Sequence, residues 1–335
     1  MAEPVRLPFP SGHQVRSLVW AGDRLVDPVG GGASVGLDGS VTHRAVNWAY
    51  AFDRALISDD GQTTVLYTAL GTKGLVVRDR RVVREINRSF YHADAYEFPV
   101  TVGQLHDGRE VLIHCPDGYN RLAIETLVDG HRLASATRQA ADLFQSRLQL
   151  SPDGRHLLTA GWFWHPYGVA DLYDLVDALT DATALGRAGI LRWQAINAEV
   201  ESACWITADH VAVSTNPDEE PLDDKDAGAL GPGELGVWSV EQPQWIARSK
   251  FDGHTGNVHA IGTHVLALYE HPRLLDPFTG TVVETWPDLS TGTQTSSIIW
   301  HQPPVPPVAV DSANGRFAVA SEHTVTVVQL PSAAP

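Results

Sequence analysis

Short runs of apolar and β-branched residues alternate with brief polar turns along almost the whole chain. The stretch Ser146–Leu179 sets the pattern. An apolar run, Arg147–Leu150, meets the turn Ser151-Pro152-Asp153-Gly154, where Pro presets φ and Gly takes a positive one. A second run, His156–Ala160, ends in an aromatic loop, Gly161–Gly168, and a third run, Val169–Leu175, follows. Strand, tight turn, strand, loop, strand predicts one blade-like antiparallel sheet.

Six other segments repeat this order: 15–39, 51–80, 98–130, 199–240, 257–283 and 305–330. Their starts are spaced by roughly 48 residues, close to the ~40–50 of a propeller blade. Several runs are continuously apolar, as expected of strands covered on both faces. The predicted fold is all-β: a single seven-bladed β-propeller of four-stranded antiparallel blades, one domain over residues 1–335. The last segment offers only three strands, so a strand near Arg6–Val19 is expected to supply the fourth and close the ring by pairing the chain's ends. Leu175–Ala184 is the one expected helical insertion, because Leu175, Leu179 and Ala182 share a face.

Turns such as Ser151-Pro152-Asp153-Gly154-Arg155 and Ser312-Ala313-Asn314-Gly315-Arg316, each just before an apolar strand, make the chain resemble the WD40-like and YVTN-like β-propeller superfamily over nearly its full length. The Gly-His and Trp-Asp signatures of true WD40 repeats are absent, and Trp238-Ser239 comes nearest. The resemblance implies a ring around a central channel. It implies no activity, since such rings serve as scaffolds and as enzymes.

Composition narrows the classes. Acidic residues outnumber basic ones 40 to 24, a formal charge of −16. That sign repels a phosphate backbone, so no nucleic-acid partner is expected. The start MAEPVRLPFPSGHQVRS has no apolar signal region, and no 18-residue apolar run exists, so no membrane partner and a cytoplasmic location are expected. Cys115 and Cys204 read as two buried, reduced thiols.

Meander topology places the loops between second and third strands, and the connections between blades, on one face. That face carries much of the chain's His and aromatic content, and a ligand site is expected there. The expected binding residues are Trp48, Tyr91, His92, Glu97, Asp117, Tyr119, Trp162, Trp164, His165, Glu270, His271 and Trp300. The ligand would be a small polar molecule or a peptide, with a protein partner as a further expectation. The alternative is an enzyme (lyase, cyclase or hydrolase) with His92, Asp94, His114, His165, Glu201 and His271 as acid–base candidates. Taken singly, a loop His is ordinarily a local hydrogen-bonding residue, and Trp162 and Trp164 would equally wedge between blades.

His92, His114, His165 and His271 come from four blades and, with Asp94 or Glu201, form a candidate set for a divalent metal such as iron, zinc or copper, or a hard cation such as Ca²⁺. The set distantly resembles the four axial His of carotenoid-cleaving propellers. An acidic insertion over residues 216–234 reads either as a lid hinged at Gly231-Pro232-Gly233 or as solvated decoration. Gly231–Gly236 matches GxGxxG without a βαβ context, and no GxSxG, Walker A or HExxH motif occurs.

Overall fold

The computed structural model describes residues 3–136, 142–163, 167–181, 183–187, 189, 191, 195–221, 228–298 and 305–331. Among them, seven antiparallel sheets follow one another along the chain. Blades 1 to 6 comprise residues 19–42, 54–87, 100–135, 149–174, 200–250 and 258–285. Blade 7 takes residues 308–329 and adds Val5–Pro8 as its outermost strand. Strands run A to D from the axis outward. Each A strand packs against the A strands of both neighbouring blades, and blade 7 meets blade 1, so the ring is closed. This is a seven-bladed β-propeller.

Closure follows the expected route. Val5–Pro8 pairs antiparallel with Thr324–Val327, and Phe9, 4% exposed, donates its N–H to the His323 carbonyl. The core lies between the blades, not within any one of them. Leu158, Leu172 and Ala170 of blade 4 pack with Val211, Val213 and Trp238 of blade 5, for example. The β-branched strands of the sequence are thus sandwiched on both faces. Gly154 shows why the blade turns need glycine: its φ is +68, and a Cβ there would stand 2.2 Å from the Gln104 carbonyl of blade 3.

Blade 4 departs from the four-strand plan. Among the described residues it has three strands, and the helix Leu175–Thr180 follows the third, capped by Asp174, whose carboxylate accepts from the Val176 and Asp177 N–H groups. The helix lies within the predicted insertion. Of the expected aromatic loop at Gly161–Gly168, the described residues 161–163 and 167–168 instead continue the hairpin. His156–Phe163 pairs with Tyr167–Asp174 through Trp162↔Gly168 and Phe163↔Tyr167. Gly168 permits this extension, because a Cβ there would sit 2.2 Å from the Val200 carbonyl of blade 5.

Candidate functional site

Two groups of side chains gather on the loop-rich face, the first around the predicted Tyr91, His92, Tyr119 and Trp162 and the second around the predicted Glu201. The first centres on the connection between blades 2 and 3. Phe144 stacks on Trp162 (3.9 Å between centroids), Tyr119 stacks on Phe144 (4.3 Å), and Tyr91 lies 5.1 Å from Tyr119. Tyr96 packs edge-on to Phe144, and His92 lies edge-on to Tyr91 at 4.5 Å. Trp162, Tyr96 and Phe144 are almost wholly buried, so Trp162 is the floor of this group and not its surface. The outer layer is Tyr91, 50% exposed, beside Phe90, 85% exposed. Tyr119 donates to the Asp142 carboxylate, and burial followed by that contact pushes its pKa up to about 12.

Arg88 holds the loop that carries Phe90 and Tyr91. It is 4% exposed, and its guanidinium donates to the carbonyls of Gly71, Ala69, Ala93 and Tyr96 at 2.6–3.1 Å. It also lies 4.5 Å over the Tyr96 ring. An arginine so engaged fixes backbone on both sides of an exposed aromatic pair. Sequence reasoning missed it, as nothing in its immediate neighbours marks it.

The second group joins blades 5 and 6. Glu201 is 3% exposed, and its Oε2 accepts from the Thr255 N–H at 2.8 Å and the Thr255 hydroxyl at 2.9 Å. Its Oε1 meets His254 Nδ1, and His254 Nε2 lies 3.1 Å from Asp218 Oδ2. The start of the acidic insertion is thus tied to the rim through an imidazole between two carboxylates. His254 packs against Tyr269 at 4.9 Å.

Other predicted residues lie apart. His114 is 2% exposed within blade 3, with Nε2 3.3 Å from Glu125 Oε2. Glu125 also accepts from Arg84 and Arg132; burial alone would raise its pKa, but His114 and the two arginines hold it well below the carboxylate range. His114 thus belongs to an ionic cluster between blades 2 and 3. Asp117 pairs with Arg132, and Trp48 donates to the Pro28 carbonyl while packing on Val29, Phe52 and Leu66. Asp94 and Glu270 are exposed, and His271 is half-buried on blade 6. Trp164, His165 and Trp300 lie outside the described residues. Among the described residues, no group of three or more His, Cys, Asp or Glu side chains is placed to hold a metal ion. Nor is any helix among them long and apolar enough to cross a membrane.

Glu97 occupies a different place: the axis. Residues 294–298, in the chain between blades 6 and 7, reach the axis, where Ile298 bridges to Tyr96 and the Ser297 carbonyl accepts from the Glu97 N–H. Gln294 of this strap donates to Glu97 Oε1 at 2.5 Å. The main axial cavity, about 780 Å³, runs from Glu97 down to the A–B turns at Asp59, His106 and Pro152. Residues 294–298 thus strap Glu97 on the loop-rich side, and the cavity reaches the opposite face.

No protein-family model matches the chain, and no curated protein sequence does. Solved structures do. The chain is similar to Kuenenia stuttgartiensis hydrazine synthase, with 14% identity, TM-score 0.59, and 96% of this chain and 97% of that one covered. It is similar to a chain of the mitotic checkpoint complex at 11% identity, TM-score 0.61, covering 98% and 96%. It is also similar to the Neurospora crassa Pan2 WD40 domain at 12% identity, TM-score 0.58, covering 96% and 90%. At these identities the likeness is one of fold, that of a β-propeller.

Proposed function

We propose that this propeller is a binding module that captures a basic peptide segment of a protein partner on the Phe90–Tyr91 loop. The carrying observation is a strongly exposed Phe90 beside Tyr91, held over a buried aromatic stack by an arginine that orders the loop. Rigid aromatic side chains on a preorganised loop are the form interface anchors take, because little conformational entropy is lost on binding. Charge selects the partner's sign: Asp94 and Asp142 flank the loop, and the chain carries −16 overall. A propeller of this shape also stands within the mitotic checkpoint complex, a multiprotein assembly.

The test is selection from a random peptide library on the wild-type protein, followed by fluorescence anisotropy. Selected peptides are expected to be rich in Lys or Arg and to lose about tenfold or more in affinity on Phe90→Ala/Tyr91→Ala. Both positions are exposed, so the variant keeps its fold. Equal binding by that variant refutes the reading.

A second reading, acid–base catalysis, rests on His254. Buried Glu201 orients its ring, as a carboxylate does for a general base. In this arrangement Asp218, 78% exposed, occupies Nε2, so catalysis would require the insertion to swing away. Under this reading, Asp218→Ala opens the imidazole to a substrate and His254→Gln removes all turnover.

A further inference from the structure

Arg147 opens blade 4 with a left-handed φ of +45, and its side chain is 8% exposed. Nη1 donates to the Glu201 carbonyl at 2.6 Å, which fixes the plane of the guanidinium. Nε and Nη2 have no hydrogen-bond partner. These two donors share one edge of the group, the edge that takes a carboxylate through two parallel hydrogen bonds. Arg147 lines the axial cavity together with Glu97, Asn257 and His259. A smaller chamber of about 180 Å³ shares Glu97, Asn257 and His259, so this is the neck between the two.

The neck also holds unused acceptors. Asn257 Oδ1 is buried with no partner. Glu97 Oε2 pairs with Arg147 Nε as an ion pair at 3.8 Å, beyond hydrogen-bond length, so it remains open as an acceptor. Donors without acceptors and acceptors without donors, side by side in a buried neck, are costly unless a ligand or water joins them. We propose that the neck binds the head group of a small α-amino acid, its carboxylate on the Nε/Nη2 edge of Arg147 and its ammonium on Glu97 Oε2 and Asn257 Oδ1.

Charge favours the zwitterion over a plain anion. Arg147 and Glu97 cancel, and burial followed by the Arg147 cation lowers the His259 pKa to about 4, which keeps that ring neutral at pH 7. A bare carboxylate would add a second anion beside Glu97, whereas a zwitterion leaves the neck neutral. Entry is from the A–B turn side, the face opposite the Phe90–Tyr91 loop. Failure of either proposal therefore leaves the other standing.

The experiment compares three probes of matched size by saturation-transfer NMR at pH 7: L-alanine, propionate and ethylamine. L-Alanine should bind with a Kd below about 10 mM and at least about tenfold tighter than either half-molecule. Arg147→Gln should abolish L-alanine binding. Glu97→Gln should weaken L-alanine about tenfold and let propionate bind at least as well as L-alanine, an inversion that a structural role would not produce. Should Arg147→Gln fail to fold, the Glu97→Gln inversion decides. Absence of L-alanine binding at about 10 mM, propionate matching L-alanine on the wild type, or no inversion in Glu97→Gln overturns the proposal.

Discussion

Arg88→Met tests whether one side chain organises the exposed aromatic loop. Methionine keeps the apolar stem and removes the guanidinium. The Ala69 carbonyl keeps a second donor, the Phe98 N–H, but the carbonyls of Gly71, Ala93 and Tyr96 lose the donor that Arg88 provides. A hydrogen bond to a charged donor contributes about 1.5–3 kcal/mol, so three give a ceiling of about 5–9 kcal/mol. Ala93 sits two residues from exposed Tyr91, and water reaching the relaxed loop recovers part of that. The expected loss is therefore about 3–5 kcal/mol, with the Tyr96 and Phe98 ring contacts included. Urea unfolding measures the global cost, and amide exchange over residues 89–97 should show the loop opening first. Arg88→Lys should not rescue it, because the lysine ammonium ends one bond short of Nη2, which makes three of the four bonds, and cannot also replace Nε. A loss under about 1 kcal/mol with unchanged loop exchange would refute the reasoning.

Three further outcomes follow from buried and half-buried groups. Asp171 is half-buried in blade 4 with its carboxylate on the Gly189 and Leu172 N–H groups, and desolvation raises its pKa to about 7 against those contacts. The folded state therefore binds the proton more tightly than the unfolded chain, whose Asp titrates near ~3.9. Stability from this group is full below about pH 4 and lost as pH rises through about 7, and Asp171→Asn should flatten that slope in melts across the range. Phe9→Ala should cost about 3–5 kcal/mol in urea unfolding by emptying the site beside the closing strand; deleting residues 3–9 should expose Thr324–Gln329 as an edge and show as aggregation in light scattering. Burial pushes the Cys204 thiol up to about 12 and that of Cys115 higher, so neither should react with a thiol reagent until the protein is unfolded.

What the sequence made legible was local. The turns Ser151–Gly154 and Ser312–Gly315 announce themselves because Pro, Asp and Gly act on their own backbone, and a ring of like blades follows once the turns are counted. The missing edge in blade 7 pointed to the N-terminus for the same reason: an unpaired strand needs a partner, and the chain had one to spare. Trp162 was misplaced because its neighbours, Gly161 and Gly168, read as a loop. Their glycines instead serve close approach to Phe144 and Val200, contacts that no local pattern encodes. Glu97 is among the residues the sequence marks, but its axial position and its neighbour Arg147 are hidden more deeply. Glu97 meets Gln294 across 197 positions of sequence, and Arg147 reads as an ordinary opening of a strand until its donors are traced and two are found unspent. A polar side chain's role is fixed by which of its hydrogen bonds the fold leaves open, and that depends on chain brought in from elsewhere. In this ring the loop-rich face spends its polar groups on itself, in the His254 latch and the Gln294 strap. The neck beneath holds two open donors of Arg147 and the open Asn257 amide oxygen against one cavity, so the proposed ligand site lies below the face that the sequence marks.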